Sequence, residues 1–235
     1  MDQQLQSSVL SADSAAEIQR AFVTKVFSWM AAGLMVTGIV SLFVLQSETV
    51  LEFLLSSRLT FFGLIIAQLG LVVWLSARVE KMTATTATMV YLGYSALSGL
   101  TFAVIFLAYT ASSIASTFFV TAGTFGAMSL YGYVTQRDLT GLGSFLMMGL
   151  IGMIIASVVN IWLGSSTVYW ITTYIGVLIF VGLTAYDTQK IKAMSIAVSD
   201  GGELEQKGAI MGALRLYLDF INLFLLLLRI MGNRR

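Results

Sequence analysis

The sequence predicts an all-α integral membrane protein, a bundle of seven transmembrane helices. Three observations support this. Hydrophobic residues fill 57% of the 235 positions and charged residues only 11%, against about 25% charged in a soluble domain. Polar groups therefore cannot cover the surface. The charges are gathered into short clusters, and the stretches between them are long enough to cross a bilayer, which takes about 20 apolar residues. Those stretches are apolar on every face and about twice the length of the roughly 10-residue alternating segments of an outer-membrane barrel.

The elements follow in order. Residues 1–24 are polar and mixed in charge, without the basic-then-apolar pattern of a cleaved signal. They read as a cytoplasmic tail, and residues 25–235 as the transmembrane domain. Residues 26–47 are uncharged for 22 positions and form the first span, an uncleaved anchor. Glu48, Glu52 and Arg58 mark a short loop. Residues 59–77, uncharged for 19, form the second span, which ends at Arg78-Val79-Glu80-Lys81. Residues 82–136 hold no charge over 55 positions, enough for spans at 84–108 and 114–135 with a turn near Thr110–Ser113. Arg137-Asp138 interrupts. Residues 139–186, uncharged for 48, give spans at 141–163 and 168–190 around the turn Gly164-Ser165-Ser166-Thr167. A charged segment from Asp187 to Lys207 precedes the seventh span, 208–231.

Loop lysines and arginines set the orientation. With the N-terminus in the cytoplasm, that side holds Arg20, Lys25, Arg78, Lys81, Arg137, Lys190, Lys192 and Lys207, and the other side Arg58, Arg229, Arg234 and Arg235. The C-terminus is then periplasmic. A re-entrant seventh helix would instead return it to the cytoplasm, but 208–232 is long enough to span. Trp29 and Trp74 fall at cytoplasmic ends and Trp162 and Trp170 at the opposite ends, as an aromatic belt requires. Ala122 with Gly126, Ser95 with Gly99, and Gly149 with Gly152 allow close helix approach. Packing within the bundle explains them more simply than a dimer face.

Composition excludes much chemistry. The chain holds no cysteine, histidine or proline, which removes disulfides, Cys/His metal sites, thiol nucleophiles and Ser-His triads. The net charge of +1 gives no footprint for nucleic acid.

Acidic residues in the apolar spans remain. Asp219 lies in the seventh, within Leu214-Arg215-Leu216-Tyr217-Leu218-Asp219-Phe220-Ile221-Asn222-Leu223-Phe224. Helical spacing puts Arg215, Asp219 and Asn222 on one face. An acid or arginine at the bilayer centre costs roughly 2.5–3.5 kcal/mol on insertion scales, so that face looks at protein or a water-filled cavity. Asp187 closes the sixth span, and consecutive antiparallel spans are usually neighbours. At about 1.5 Å per residue, Asp187 is roughly 26 Å along the sixth helix from Trp170 and Asp219 roughly 18 Å along the seventh from Gly208. Straight rods of those lengths would keep them apart. They meet if the seventh helix begins below the membrane surface or the sixth extends past Met194.

If they meet, two carboxylates in one site cannot both ionise cheaply, and one proton is retained. Protonated, the pair latches the two helices together. Deprotonated, it repels, opens a path and offers oxygen ligands to a hard cation such as Ca²⁺. Arg78 and Arg215 would tune it through their positive charge. Plainer readings stand beside this one. Asp187 is then an interfacial residue facing Lys190, and Asp219 forms a silent intrahelical pair with Arg215. Arg78 is an ordinary basic helix end, and Arg215 snorkels to the surface. A tyrosine-aspartate pair on the sixth helix and an aspartate on the seventh are also similar to intramembrane aspartyl proteases. That family carries Gly-x-Gly before its second aspartate and a Pro-Ala-Leu motif. Here Leu216-Tyr217-Leu218 precedes Asp219 and proline is absent, so no enzyme activity is expected.

Ala185-Tyr186-Asp187-Thr188-Gln189-Lys190-Ile191-Lys192 and Leu216-Tyr217-Leu218-Asp219-Phe220-Ile221-Asn222-Leu223-Phe224, supported by Ser98-Gly99-Leu100-Thr101, resemble the Bax inhibitor family of membrane proteins. The resemblance covers about residues 20–235. The Asn-Arg-Arg tail and Thr184-Ala185-Tyr186-Asp187-Thr188-Gln189 are most similar to inner-membrane members from Gram-negative bacteria. The resemblance implies a central seventh helix and a pH-sensitive Ca²⁺ leak with Asp187 and Asp219 as its sensor pair. It also implies an arginine near the cytoplasmic end of the second helix, for which Arg78 is the nearest match. Some members have an acid in mid-helix 2, where this chain offers Gln68, and a proline in the third helix, which this chain lacks. Some bacterial relatives look like modulators of a membrane-bound AAA protease, which makes quality control the alternative function and the N-terminal tail the segment available for contact. Ion selectivity and oligomeric state have no signature in the sequence.

Overall fold

The structure is a computed structural model and describes residues 2–198 and 202–235. Among the described residues eight α-helices follow one another: α1 Asp2–Leu45, α2 Glu48–Leu55, α3 Arg58–Arg78, α4 Ala84–Ala108, α5 Ala111–Val134, α6 Thr140–Leu163, α7 Ser166–Ala197 and α8 Glu203–Met231. A 3-10 turn, Val79–Lys81, joins α3 to α4. All but α2 are long and apolar enough to cross a membrane, so the seven spans expected from the uncharged runs are present. Among the described residues the β pairing is confined to an isolated bridge between Tyr109 and Arg234.

Three details differ from the sequence expectation. The N-terminal segment is not set apart from the first span, because α1 runs through both as one helix of 44 residues. The expected loop at 48–58 holds the short helix α2, with Glu48 in its first turn, where acidic charge suits the helix dipole, and Leu54 buried. Helix α7 continues to Ala197, beyond the expected end at 190 and beyond Met194.

The chain divides into two compact units, residues 1–101 with 190–214 and residues 102–189 with 215–235. In the first unit α1 and α4 are joined by hydroxyls that reach across to backbone carbonyls. Thr37 Oγ1 donates to Ser95 O (2.9 Å) and Ser41 Oγ to Gly99 O (2.9 Å). Gly99 makes the approach possible, since a Cβ there would collide with Val40 and the Thr37 carbonyl. The Ser95/Gly99 pair thus packs within the chain, whereas a Cβ added at Gly126 or Gly152 would meet nothing within 4 Å. Helix α3 is the least buried span, with 6% of its most apolar stretch inside and Ile66 and Val73 exposed, as lipid-facing residues are. A charged cluster closes one end of this unit. Lys25 Nζ meets Glu205 Oε1 at 2.9 Å, Lys207 meets Glu203 at 3.6 Å, and Glu203 Oε1 accepts the Ala84 backbone N–H at 2.9 Å.

The second unit has an apolar core of Leu146, Ile179, Phe180, Leu183 and Leu223 from α6, α7 and α8. Phe220 on α8 makes edge contacts with Phe118 and Phe125 of α5. Gly132 lets α5 touch α7, because a Cβ there would run into the Ala185 backbone carbonyl, and Gly143 makes room for the Tyr186 ring. Helix α6 ends at Gly164 with φ of 62°, a left-handed C-terminal position that glycine adopts without strain. At the far end of α8, Thr110 N–H donates to Asn233 O (3.1 Å) and Asn233 N–H to Ser113 Oγ (3.0 Å). Helix α8 therefore starts beside the start of α4 and finishes beside the α4–α5 turn. It is also the most buried span, with 56% of its most apolar stretch inside, as a central seventh span requires.

Candidate functional site

Asp187 and Asp219 come together. Helices α7 and α8 pack antiparallel, and the contacts run in register. Val198 faces Gly208, Ile191 faces Gly212, Leu226 packs on Gly176, and Arg229 bonds Thr173. Within that register Asp187 and Asp219 fall opposite one another, and their carboxyl groups lie within hydrogen-bonding reach. The extension of α7 past Met194 is the condition that resolves the depth mismatch of straight rods.

The surroundings are asymmetric. Asp219 is buried, at 5% exposure, and its Oδ2 has no hydrogen-bond partner. The Asp187 side chain is 13% exposed and lies 3.9 Å from Nη1 of Arg215, whose side chain is 43% exposed. Arg215 thus makes its ion pair across the helix interface with Asp187 and not with Asp219 one turn away. Asp187 in turn pairs with Arg215 on α8, so it does more than face Lys190. The charged groups acting on Asp219 are Asp187 and Arg215. Neighbouring hydroxyls are turned to their own helix. Thr184 Oγ1 donates to Phe180 O and Thr188 Oγ1 to Thr184 O, both at 2.7 Å. They give the acids no donor.

The other expected residues lie elsewhere. Asn222 donates from Nδ2 to Leu218 O at 2.8 Å, the carbonyl one turn back. Gln68 belongs to the first unit, where it donates to Leu97 O (3.2 Å) and to the Thr101 hydroxyl. It works as a polar link between α3 and α4. Arg78 is exposed in the last turn of α3 in the same unit.

Ca²⁺ takes six to eight oxygen ligands, and among the described residues no three His, Cys, Asp or Glu side chains stand together. Two features escaped the sequence reading. Gln189 accepts the Leu139 N–H (2.9 Å) and donates to Arg137 O (2.8 Å), which ties α7 to the α5–α6 loop beside the pair. The second is a cluster of Tyr169, Arg229 and Arg234 at the far end of the same unit. The Arg229 and Asn-Arg-Arg tail charges beside Tyr169-Trp170 were its only signal.

Fold and site together define a seven-span membrane protein with a carboxyl pair between its last two spans. The family model described as "Inhibitor of apoptosis-promoting Bax1" matches residues 19–235. The chain belongs to this Bax inhibitor family. It is 56% identical over 216 residues to "Inner membrane protein YbhL" of Escherichia coli (strain K12), covering 91% of this chain and 92% of that one. It is 45% identical over 218 residues to a protein of Borreliella burgdorferi, covering 93% and 94%. An uncharacterised membrane protein of Streptococcus pyogenes serotype M1 is 37% identical over 214 residues, covering 90% and 92%.

Proposed function

We propose that this protein is a pH-sensitive leak for Ca²⁺ or a similar hard cation, a transport protein and not an enzyme, gated by Asp187 and Asp219. The observation that carries the reading is the approach of two carboxyl groups from different helices, one of them buried with an unpartnered oxygen. Two carboxyl oxygens hydrogen-bond only when one group keeps its proton. In that state α7 and α8 are held together. When the proton leaves, two negative charges in a poorly hydrated site repel by several kcal/mol at an effective dielectric constant near 20. The helices then part at that level, and the freed oxygens take over part of the hydration shell of an entering cation. Arg215 is the counter-charge. It lies 3.9 Å from Asp187 and competes with the cation for the same oxygens.

The protein sits in the inner membrane on this reading, which the name of the Escherichia coli relative supports. The loop charges favour a cytoplasmic N-terminus, with the C-terminus on the opposite side.

The test is purified protein in liposomes loaded with a Ca²⁺-sensitive dye. The expected outcome is influx that increases as the external pH is raised. Absence of influx at every pH would overturn the channel reading. A pull-down of membrane proteases would then test the quality-control alternative.

A further inference from the structure

At the α6–α7 end of the second unit, a cleft of about 680 Å³ opens between the start of α7 and the end of α8. Tyr169, Trp170, Arg229 and Arg234 stand in its wall, beside the Gly164-Ser165-Ser166 turn. Arg229 is half-buried. It donates from Nη1 to Thr173 Oγ1 at 3.1 Å, and its guanidinium lies 4.5 Å from the centre of the Tyr169 ring. Arg234 donates to the hydroxyl of the same tyrosine at 3.4 Å and lies 5.8 Å from the Tyr109 ring. One tyrosine therefore holds both cations at the same cleft.

Among the described residues no acidic side chain pairs with either arginine. The acidic side chains of this unit are Asp138, Asp187 and Asp219. Asp187 pairs with Arg215, and Asp138 lies in the α5–α6 loop, where it accepts the Thr140 N–H. A guanidinium has five N–H donors; Arg229 uses one on the Thr173 hydroxyl, and Arg234 bonds the Tyr169 and Tyr109 side chains, so each keeps donors for a ligand. Two like charges fixed at one cleft repel, and the cost is removed when an anion sits between them. The arginine fork matches phosphate oxygens two at a time. The start of α7 adds the positive end of a 32-residue helix, with Ser165 Oγ capping the Val168 N–H at 3.4 Å. The cleft also lies at headgroup height, because Trp170 and Trp162 at this end are 40% and 79% exposed and tryptophans collect at the membrane–water boundary.

We infer that this cleft binds a phosphate group between Arg229 and Arg234. The group is either the headgroup of an anionic phospholipid or a free phosphate ion. The inference is independent of the carboxyl pair.

Calorimetric titration of the full chain in a maltoside detergent, which carries no phosphate, separates the two sources. One arm adds inorganic phosphate against a chloride control of equal ionic strength. The other adds phosphatidylglycerol in mixed micelles against phosphatidylcholine. Saturable binding is expected in at least one arm, weakened about tenfold by Arg229→Gln or Arg234→Gln and lost in the double variant. Binding in the phosphate arm identifies a soluble anion, and binding with phosphatidylglycerol alone identifies a lipid headgroup. Helical circular dichroism and elution volume verify that the variants fold. Should Arg229→Gln fail that check, Arg234→Gln, which alters an exposed residue near the chain end, decides the question alone. No saturable binding in either arm, or binding unchanged in the folded variants, would overturn the inference.

Discussion

The choice of partner by Arg215 decides what the acidic residues do. An intrahelical pair with Asp219 would have neutralised the buried acid within its own helix and left no reason for α7 to approach. Instead the guanidinium lies 3.9 Å from Asp187, and Asp219 is left facing a second carboxyl group with one oxygen unpartnered. That arrangement predicts a shared proton. In reconstituted protein, infrared difference spectra across a pH titration should show the carbonyl stretch of one protonated carboxylic acid, absent in Asp219→Asn. Arg215→Gln removes the positive charge that favours ionisation, so the pair should keep its proton to higher pH. The pH of half-maximal Ca²⁺ influx should then move upward. An unchanged midpoint would remove Arg215 from the gate. The sequence placed Arg215 and Asp219 one turn apart but could not say which acid the arginine reaches. Its reach depends on how far α7 and α8 slide past each other.

That sliding belongs to the helices. Runs without charge located all seven spans, because in lipid the backbone must satisfy its own hydrogen bonds and a helix of about 20 apolar residues is the economical way to do so. Element ends were less legible. Lys190 and Lys192 suggested an end near 190, yet α7 runs to Ala197, since a helix that leaves the membrane continues in water where its propensity allows. Those extra turns set the register of α7 on α8. Contacts between helices rest on packing and not on a hydrophobic driving force, because lipid tails are as apolar as leucine. Gly132, whose missing side chain lets α5 meet the Ala185 carbonyl, is therefore a sensitive position. It lies against the stretch of α7 that carries Asp187. Gly132→Ala should destabilise the folded protein by about 1–3 kcal/mol, as overpacking does, and lower its melting temperature in detergent. Gly126→Ala, where a Cβ meets open space, should leave it unchanged.

At the scale of the molecule, seven crossings would put the two chain ends on opposite sides of the membrane. The pairing of Asn233 with Thr110 and Ser113 fixes the end of α8 at the α4–α5 turn. A reporter fused after Arg235 should give a periplasmic signal and one fused before Met1 a cytoplasmic signal. Two cytoplasmic signals would restore a re-entrant last helix. The motifs around Asp187 and Asp219 carried the family assignment, since an acid inside an apolar span survives only with a purpose or a partner. The Arg229–Arg234 cleft was not legible in the same way. Its residues are an aromatic pair and a basic tail that the sequence accounts for as belt and orientation, and only folding brings them to one cleft. The central claim remains that the carboxyl pair is the gate. Its most direct test is dye-reported Ca²⁺ influx into liposomes, measured from acid to alkaline pH for wild type, Asp187→Asn and Asp219→Asn. An amide donates to the remaining carboxylate whatever the pH, so both variants should hold the latch closed and flatten the rise seen in wild type. A full pH-dependent rise in both variants would contradict the claim.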